Sequence, residues 1–304
     1  MLGNRAAEAL PASLAPVLGA RKDGTAGAPS SRGLLTTLLG EFVLPAGGAA
    51  WTRTLLEALG ALGVKEKAAR QALARLEDRG WLQRERHGRT TRWSLTETST
   101  ELLRSGADRI YGFAAARRDW DRRWVVLLAS VPEADRRQRY RMAQGLEWAG
   151  FGSIGSGTWI SPWVDRERHA AELLDQLGVQ ATSFVAEVGA LGSGPELATA
   201  AWDLPALRSD YDRFLDETDR VDPSVLDPRE SMVRLTALVH RWRRFPFLDP
   251  DIPVELLDPD WPAPSAARRF GALRAALAPS AASWWTDTET GVKSTGALHG
   301  PEPG

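Results

Sequence analysis

The sequence predicts an α+β fold built from three successive parts. Amphipathic helical segments that end in a basic hairpin come first, apolar strand-like runs alternating with helices follow, and a further helical region comes last. A chain of 304 residues has room for two or three such domains. The predicted parts are residues 31–96, a linker helix at 97–120, and residues 121–190 and 196–285, between disordered tails at 1–30 and 286–304.

The first part is predicted to contain three helices. Residues 32–42 and 51–62 form two short amphipathic segments, and Gly63 supplies a tight turn into the third. In the third helix four apolar side chains recur at spacings of three and four, which places them on one buried face. These side chains are Ala69, Ala72, Leu73 and Leu76.

A hairpin follows the third helix. Arg79 and Gly80 end that helix, and two short strands are predicted at residues 81–86 and 90–95. Three helices followed by a hairpin are typical of a winged helix-turn-helix, which places its third helix in the major groove of DNA.

Polar and basic side chains on the third helix and the hairpin are the candidate DNA contacts. Those on the helix, near its N-terminal end, are predicted to read bases, and those on the hairpin to contact the phosphate backbone or the minor groove. The predicted contacts are Lys65, Lys67, Arg70, Gln71, Arg75, Arg84, Arg86, His87, Arg89 and Arg92.

The charge distribution favours the same interpretation. Residues 31–95 contain eleven Lys or Arg and six Asp or Glu, about +5, within a chain whose net charge is -1. Arginine is preferred over lysine throughout the chain, so the position of the cations matters more than their number. A solvated charged helix in a small structural module is the alternative.

The second part is predicted to alternate strands and helices. Residues 124–131 form a strand buried on both faces, a helix at 134–149 turns Tyr140, Ala143 and Leu146 inward, and Asp165 caps a helix that ends at 177. Further strands lie near residues 152–156, 158–163 and 182–188. This order predicts a ferredoxin-like domain.

The glycine-rich segment at residues 150–157 has two interpretations. A nucleotide-binding loop would need a Lys-Ser/Thr ending or a helix immediately after it. Here a strand follows. A hairpin turn is therefore the favoured interpretation.

The third part is predicted to be mainly helical, with helices at 202–218 and 229–245. Residues 203–260 contain fourteen acidic and eight basic residues, about -6, which makes a poor surface for DNA.

The chain has no cysteine, which excludes disulfides and thiolate metal sites, and no apolar run long enough for a membrane helix. The four histidines are far apart and match no catalytic or metal-ligand motif. We therefore expect a cytoplasmic protein that is not an enzyme and needs no cofactor or metal.

Several strings resemble one family. Gly80-Trp81, the segment 201–215 (AWDLPALRSDYDRFL), the segment 233–262 (VRLTALVHRWRRFPFLDPDIPVELLDPDWP) and ALRAALAP are similar to the phenylacetic-acid-degradation repressors of bacteria, the PaaX-like family. The resemblance covers about residues 30–285. It implies a dimeric winged-helix repressor that binds a double-stranded DNA operator and whose effector, in the founding members, is phenylacetyl-coenzyme A.

The resemblance also bears on the middle domain. That domain is similar to the small ferredoxin-like nucleases of CRISPR adaptation, which carry a metal-binding aspartate at the end of the first strand. Here that place is Ala129-Ser130-Val131, so nuclease activity is not expected. We expect the domain to pair protomers.

A candidate effector site lies at the end of the second C-terminal helix. An acyl-coenzyme A needs cations for its phosphates and an aromatic surface for adenine. Arg241, Trp242, Arg243 and Arg244 supply both. The alternative is that Trp242 is buried in a core and that the arginines pair with Asp249 and Asp251.

Together these features predict a sequence-specific, homodimeric repressor that an acyl-coenzyme A releases from a pseudo-palindromic operator. One alternative is an activating or effector-independent regulator of another pathway. The other is an enzyme that acts on an acyl-coenzyme A or on nucleic acid.

Overall fold

The computed structural model describes residues 30–113, 118–132 and 134–297, so the predicted tail at 1–30 lies outside it except for Ser30. The chain divides into two compact units. One contains Phe113–Phe214 and Phe245–Ala266, and the other contains the described residues up to Gly112 together with Leu215–Arg244 and the chain from Ala267. Residues 196–285, expected to form one helical domain, therefore contribute to both units.

The unit that holds the N-terminal helices has a small antiparallel sheet of strand order β1-β3-β2. Its first elements are α1 (Ser31–Leu38), β1 (Ala49–Trp51), α2 (Thr52–Ala61), α3 (Glu66–Asp78), β2 (Leu82–His87), β3 (Thr90–Leu95) and α4 (Glu97–Gly112). A π-helical turn, Leu39–Val43, extends α1. Strand β1 was not predicted, because it is only three residues long and pairs with a distant strand.

The core of this unit follows the predicted periodicity. Ala69, Ala72, Leu73 and Leu76 are buried, which confirms the inward face of α3. The turns that flank α3 need the left-handed backbone that glycine adopts without strain, with φ of 81° at Gly63 and 70° at Gly80. Glycine at these two positions therefore allows the chain to turn into α3 and out of it.

C-terminal helices complete the same unit. They are the end of α8 (Leu204–Asp219), α9 (Pro228–Trp242), and α11 (Ala263–Ala297) from residue 267 onward. Asp227 and Glu230 form a capping box at the start of α9.

A disordered tail was predicted from Thr286 onward. This prediction is wrong as far as Ala297, because α11 continues to that residue, and residues 298–304 lie outside the described residues. Tertiary contacts explain the difference. Trp285 stacks on Phe42 at 5.1 Å between ring centroids. Glu289 accepts a hydrogen bond of 3.0 Å from the backbone N–H of Trp51. Packing therefore extends a helix whose own sequence is polar.

The other unit contains a four-stranded antiparallel sheet of order β5-β6-β4-β7. Its elements are β4 (Trp124–Ala129), α5 (Arg136–Trp148), β5 (Gly152–Gly155), β6 (Thr158–Ser161), α6 (Glu167–Gln176), β7 (Ala181–Ala186), α7 (Gly194–Ala201), the first part of α8, α10 (Phe245–Leu248) and the start of α11. Side chains of α5 and α6 pack on one face, where Val125, Leu127 and Leu146 are buried. Trp124, Ile160 and Leu256 form a second cluster on the other face.

Three details of this unit differ from prediction. Leu128 is 45% exposed, so β4 is not buried on both faces, because the second cluster covers only part of that face. Tyr140 is 66% exposed, and Met142 takes the expected inward place on α5. Asp165 does not cap α6, because a 3-10 turn, Val164–Arg166, precedes that helix. Its carboxylate instead accepts a hydrogen bond of 2.9 Å from Arg118.

The glycine-rich segment forms the hairpin between β5 and β6, which confirms the turn interpretation. Gly155 and Gly157 have φ of 95° and 73°.

Within the residues described, none of the helices combines the length and apolarity that crossing a membrane requires.

Candidate nucleic-acid interface

The outer face of α3 is polar and solvent-exposed. Lys67, Gln71 and Ala74 lie opposite the four buried side chains, as the periodicity predicts. Lys65 precedes the first turn and is also exposed. The exposed face therefore offers two cations and an amide that can both donate and accept hydrogen bonds.

Arg70 flanks this face and is held by an acidic neighbour. Its Nε donates a hydrogen bond of 2.8 Å to Glu66 Oε1, and its Nη2 lies 2.8 Å from the same oxygen. Glu66 was not among the predicted contacts. The spacing of four residues between an acid and a later arginine on one helix is the signal that identifies such a pair in a sequence.

Arg75 lies toward the other end of α3, in a positively charged region. Burial lowers the pKa of Arg32, at the start of α1, and the nearby guanidinium groups of Arg79 and Arg75 lower it further. Arg75 is exposed and points to solvent. The positive surface of α3 thus extends toward the N-terminus of α1.

The predicted contacts of the hairpin are distributed over its two faces. Arg84 and Arg86 are paired with Trp93 and Thr91 in the β2–β3 register, whereas His87 and Arg92 belong to the opposite face. Arg89 lies in the exposed turn at the tip, next to Gly88.

Three residues of the hairpin have partners that sequence reasoning did not identify. Arg84 Nε lies 3.0 Å from Glu77 Oε1 of α3, which ties the hairpin to that helix. His87 Nε2 lies 3.3 Å from Glu85 Oε2. The guanidinium of Arg92 lies over the ring of Trp51, 5.6 Å from its centroid.

The four predicted effector contacts lie at the end of α9 and just after it. Trp242 is 1% exposed, stacks on Phe270 at 4.7 Å and donates a hydrogen bond of 3.1 Å from Nε1 to the carbonyl of Ile110. Arg243 is 2% exposed, and burial followed by the charge of Arg32 lowers its pKa to about 10.

The other two predicted effector contacts are less buried. Arg241 pairs with Glu217 at 3.0 Å, and Arg244 is half-buried. Asp251, considered as an alternative partner for the arginines, lies 3.7 Å from Arg118 and 3.7 Å from Arg166. Trp242 and Arg243 therefore belong to the core of their unit. For Trp242 this agrees with the alternative interpretation, in which its side chain is buried in a core.

His240 connects α9 to α1. Its Nδ1 lies 3.1 Å from the hydroxyl of Thr37. Its ring also packs closely against Gly33, because a Cβ added to that glycine would lie only 3.0 Å from the ring. Burial, then Arg243 and Arg244, lower the pKa of His240 to about 3. A neutral imidazole thus packs against the first helix at neutral pH.

No three His, Asp or Glu side chains are grouped as metal ligands in the part of the chain that the structure describes. The chemistry of the exposed surface on α3 and the hairpin is that of hydrogen bonding and charge: guanidinium, ammonium and amide groups directed to solvent.

Comparisons with known proteins cover most of the chain. Residues 30–99 match the family described as PaaX-like protein, residues 117–198 match the PaaX protein central Cas2-like domain, and residues 202–287 match the PaaX-like protein C-terminal domain. The transcriptional repressor PaaX of Escherichia coli is 28% identical over 286 residues, which is 90% of this chain and 88% of that protein.

A solved structure has the same fold. It is that of the uncharacterized protein Rv0674 from Mycobacterium tuberculosis, with a TM-score of 0.59 and 22% identity over 86% of this chain and 99% of the other. The three family matches follow one another in order along nearly the whole described chain. The chain therefore belongs to the PaaX-like family.

Proposed function

We propose that the protein is a transcriptional repressor that binds double-stranded operator DNA through α3 and the β2–β3 hairpin. The observation that carries the proposal is the exposed row of Lys67, Arg70 and Gln71 on a helix whose opposite face is buried. The similarity of this chain to a protein named as a transcriptional repressor supports the same role.

In this proposal residues 31–96 are a winged helix-turn-helix. Its three helices are α1, α2 and α3, and its wing is the hairpin of a sheet in the order β1-β3-β2. Lys65, Lys67, Arg70, Gln71 and Arg75 contact bases in the major groove, and Arg84, Arg86, His87, Arg89 and Arg92 contact phosphates or the minor groove.

The sheet in the order β5-β6-β4-β7 is in this proposal a ferredoxin-like domain that pairs two protomers. Strand β7 lies at the edge of that sheet, and its six residues carry no charge. Phe184 and Val185 on this strand are 55% and 41% exposed. An uncharged edge strand with exposed apolar side chains favours pairing with another strand. A two-fold dimer would present two copies of α3 to a pseudo-palindromic operator.

An acyl-coenzyme A such as phenylacetyl-coenzyme A is the proposed effector. It would release DNA by favouring a dimer geometry in which the two copies of α3 no longer match the half-site spacing. The buried positions of Trp242 and Arg243 mean that binding at the predicted effector residues would require those side chains to be uncovered.

The test uses the purified full-length protein and a fluorescent duplex from the DNA upstream of its own gene, with a scrambled duplex of equal length as control. We expect tighter binding to the upstream duplex, weakening with salt, and release by added phenylacetyl-coenzyme A. Specific binding that ignores the thioester would refute that effector and keep the regulator. Equal binding to both duplexes would contradict sequence-specific recognition at this site.

A further inference from the structure

We propose that Glu66 is a positioning residue that orients Arg70 to recognise one guanine in each half of the operator. The inference rests on the proposed DNA-binding function and specifies the base that α3 reads. These two side chains form an ion pair on the exposed side of the helix.

The geometry of the pair leaves one edge of the guanidinium free to bind a base. Nε and Nη2 of Arg70 both lie 2.8 Å from the same oxygen, Oε1 of Glu66. A guanidinium has five N–H groups, so the edge formed by Nη1 and the second hydrogen of Nη2 still has two parallel donors. Two parallel donors match O6 and N7 of guanine, which no other base presents together in the major groove.

Position on the helix supports this role. Glu66 is in the first turn of α3 and Arg70 is one turn later, next to Gln71. The two side chains are 67% and 59% exposed, so DNA can approach the free edge without displacing protein groups. Holding a flexible side chain in its bound orientation reduces the entropy lost on binding.

Glu66 contributes only modestly to the stability of α3, in whose first turn it lies. An exposed ion pair four residues apart and an acid near the positive end of the helix dipole each stabilise a helix only slightly. A carboxylate on a surface that approaches phosphates also weakens binding to every DNA sequence through like-charge repulsion. Such a residue lowers general affinity and raises the preference for one base, which is a gain in specificity.

The same helix orients a second arginine with an acid. Glu77 Oε1 lies 3.0 Å from Arg84 Nε, and the side chain of Glu77 is 29% exposed. Both arginines are predicted DNA contacts, and both are held by glutamates of α3.

The experiment first selects the preferred duplex from a random library with the full-length protein, and then substitutes each base pair in turn. The base pair read by Arg70 is the one whose preference Arg70→Ala abolishes. We expect that base to be guanine, with a preference of roughly tenfold over adenine. We expect Glu66→Gln to bind a scrambled duplex more tightly than the unsubstituted protein does, yet to reduce the guanine preference to about twofold or less. In the Arg70→Ala background Glu66→Gln should have no effect on base preference.

Glu101→Gln on α4 is the matched control, because it removes the same charge from an exposed residue of another helix. We expect it to keep the guanine preference. A guanine preference that Glu66→Gln leaves intact, or an Arg70-dependent base other than guanine, would overturn the inference and leave the DNA-binding function standing. A protein that selects no sequence from the library would overturn both.

Discussion

Arg89 and Arg70 differ in where they lie, and this difference predicts different effects on DNA binding. Arg89 is in the exposed tip of the hairpin, while Arg70 flanks the outer face of α3. We expect Arg89→Ala to weaken binding to all duplexes equally, because a phosphate contact carries no base information. The slope of log affinity against log salt should fall by about 0.9 for each lost contact. Salt titrations by fluorescence anisotropy measure both.

Arg89→Lys is the control for that prediction. It keeps the charge and should keep most of the salt dependence. An Arg89→Ala protein with an unchanged salt slope would show that the hairpin tip does not contact phosphate.

His240 makes stability depend on pH. The folded protein holds the pKa of His240 at about 3, whereas an unfolded chain protonates histidine near pH 6.5. Because only the unfolded chain takes up this proton between those values, acid favours unfolding. From pH 7.5 to pH 5 this group should remove roughly 1–2 kcal/mol from the free energy of unfolding.

Urea denaturation of the unsubstituted protein and of His240→Gln at both pH values tests this. Relative to the unsubstituted protein, the variant should be more stable at pH 5 than it is at pH 7.5. Asp249 acts with the opposite sign, because burial raises its pKa to about 6, but it is present in both proteins and cancels. A stability difference that does not change with pH would contradict the prediction.

At the scale of the elements, Glu41 joins three helical segments of one unit. It lies in the π-helical turn after α1, and its side chain is 4% exposed. Arg274 of α11 lies 2.8 Å away, and the hydroxyl of Tyr111 of α4 donates a hydrogen bond to it. The ring of Tyr111 also lies under the Arg274 guanidinium, 4.2 Å from its centroid.

We expect Glu41→Gln to destabilise the protein by about 1–3 kcal/mol, because it leaves Arg274 without its carboxylate. The urea midpoint should fall while the dependence on urea concentration stays the same. Glu57→Gln, on the exposed side of α2, should change stability by less than about 0.5 kcal/mol. Equal midpoints for the two variants would show that the junction carries no stability.

The elements also show how far a sequence can be interpreted. The inward face of α3 was predicted because four small or apolar residues repeat at helical spacing. The short strand β1 and the end of α11 were not, because each depends on a partner far away in sequence. Tyr140 was placed inward with Ala143 and Leu146 at a spacing of three residues, but it is exposed, and Met142 on the adjoining part of the helix surface is buried.

The candidate site follows the same rule. The exposure of Lys67 and Gln71 could be predicted from periodicity, since it depends on one helix. The partners Glu77 and Trp51 could not be predicted, because they depend on tertiary contacts. The packing of α3 against β2 brings Glu77 to Arg84, and the pairing of β1 with β3 brings Trp51 to Arg92.

At the scale of the whole molecule, the proposed dimer depends on the edge strand β7. Phe184→Asp places a charge on its exposed apolar surface, which opposes pairing between protomers. We expect this variant to sediment as a monomer and to bind the selected duplex about tenfold or more weakly, because two linked copies bind more tightly than one.

Val225→Asp is the matched control, since Val225 is 74% exposed outside the sheet. It should keep the mass and the affinity of the unsubstituted protein. A Phe184→Asp protein of unchanged mass would contradict pairing through β7.

The most direct test of DNA binding through α3 uses the absence of native cysteine. A single Ala74→Cys on the exposed face of α3, coupled to an iron–EDTA reagent, cleaves any DNA that lies against that helix. Gln144→Cys on the exposed side of α5 is the control. We expect the α3 conjugate to cut the selected duplex at two symmetric positions and the α5 conjugate to leave it intact. Cleavage from α5 and none from α3 would contradict the proposed interface.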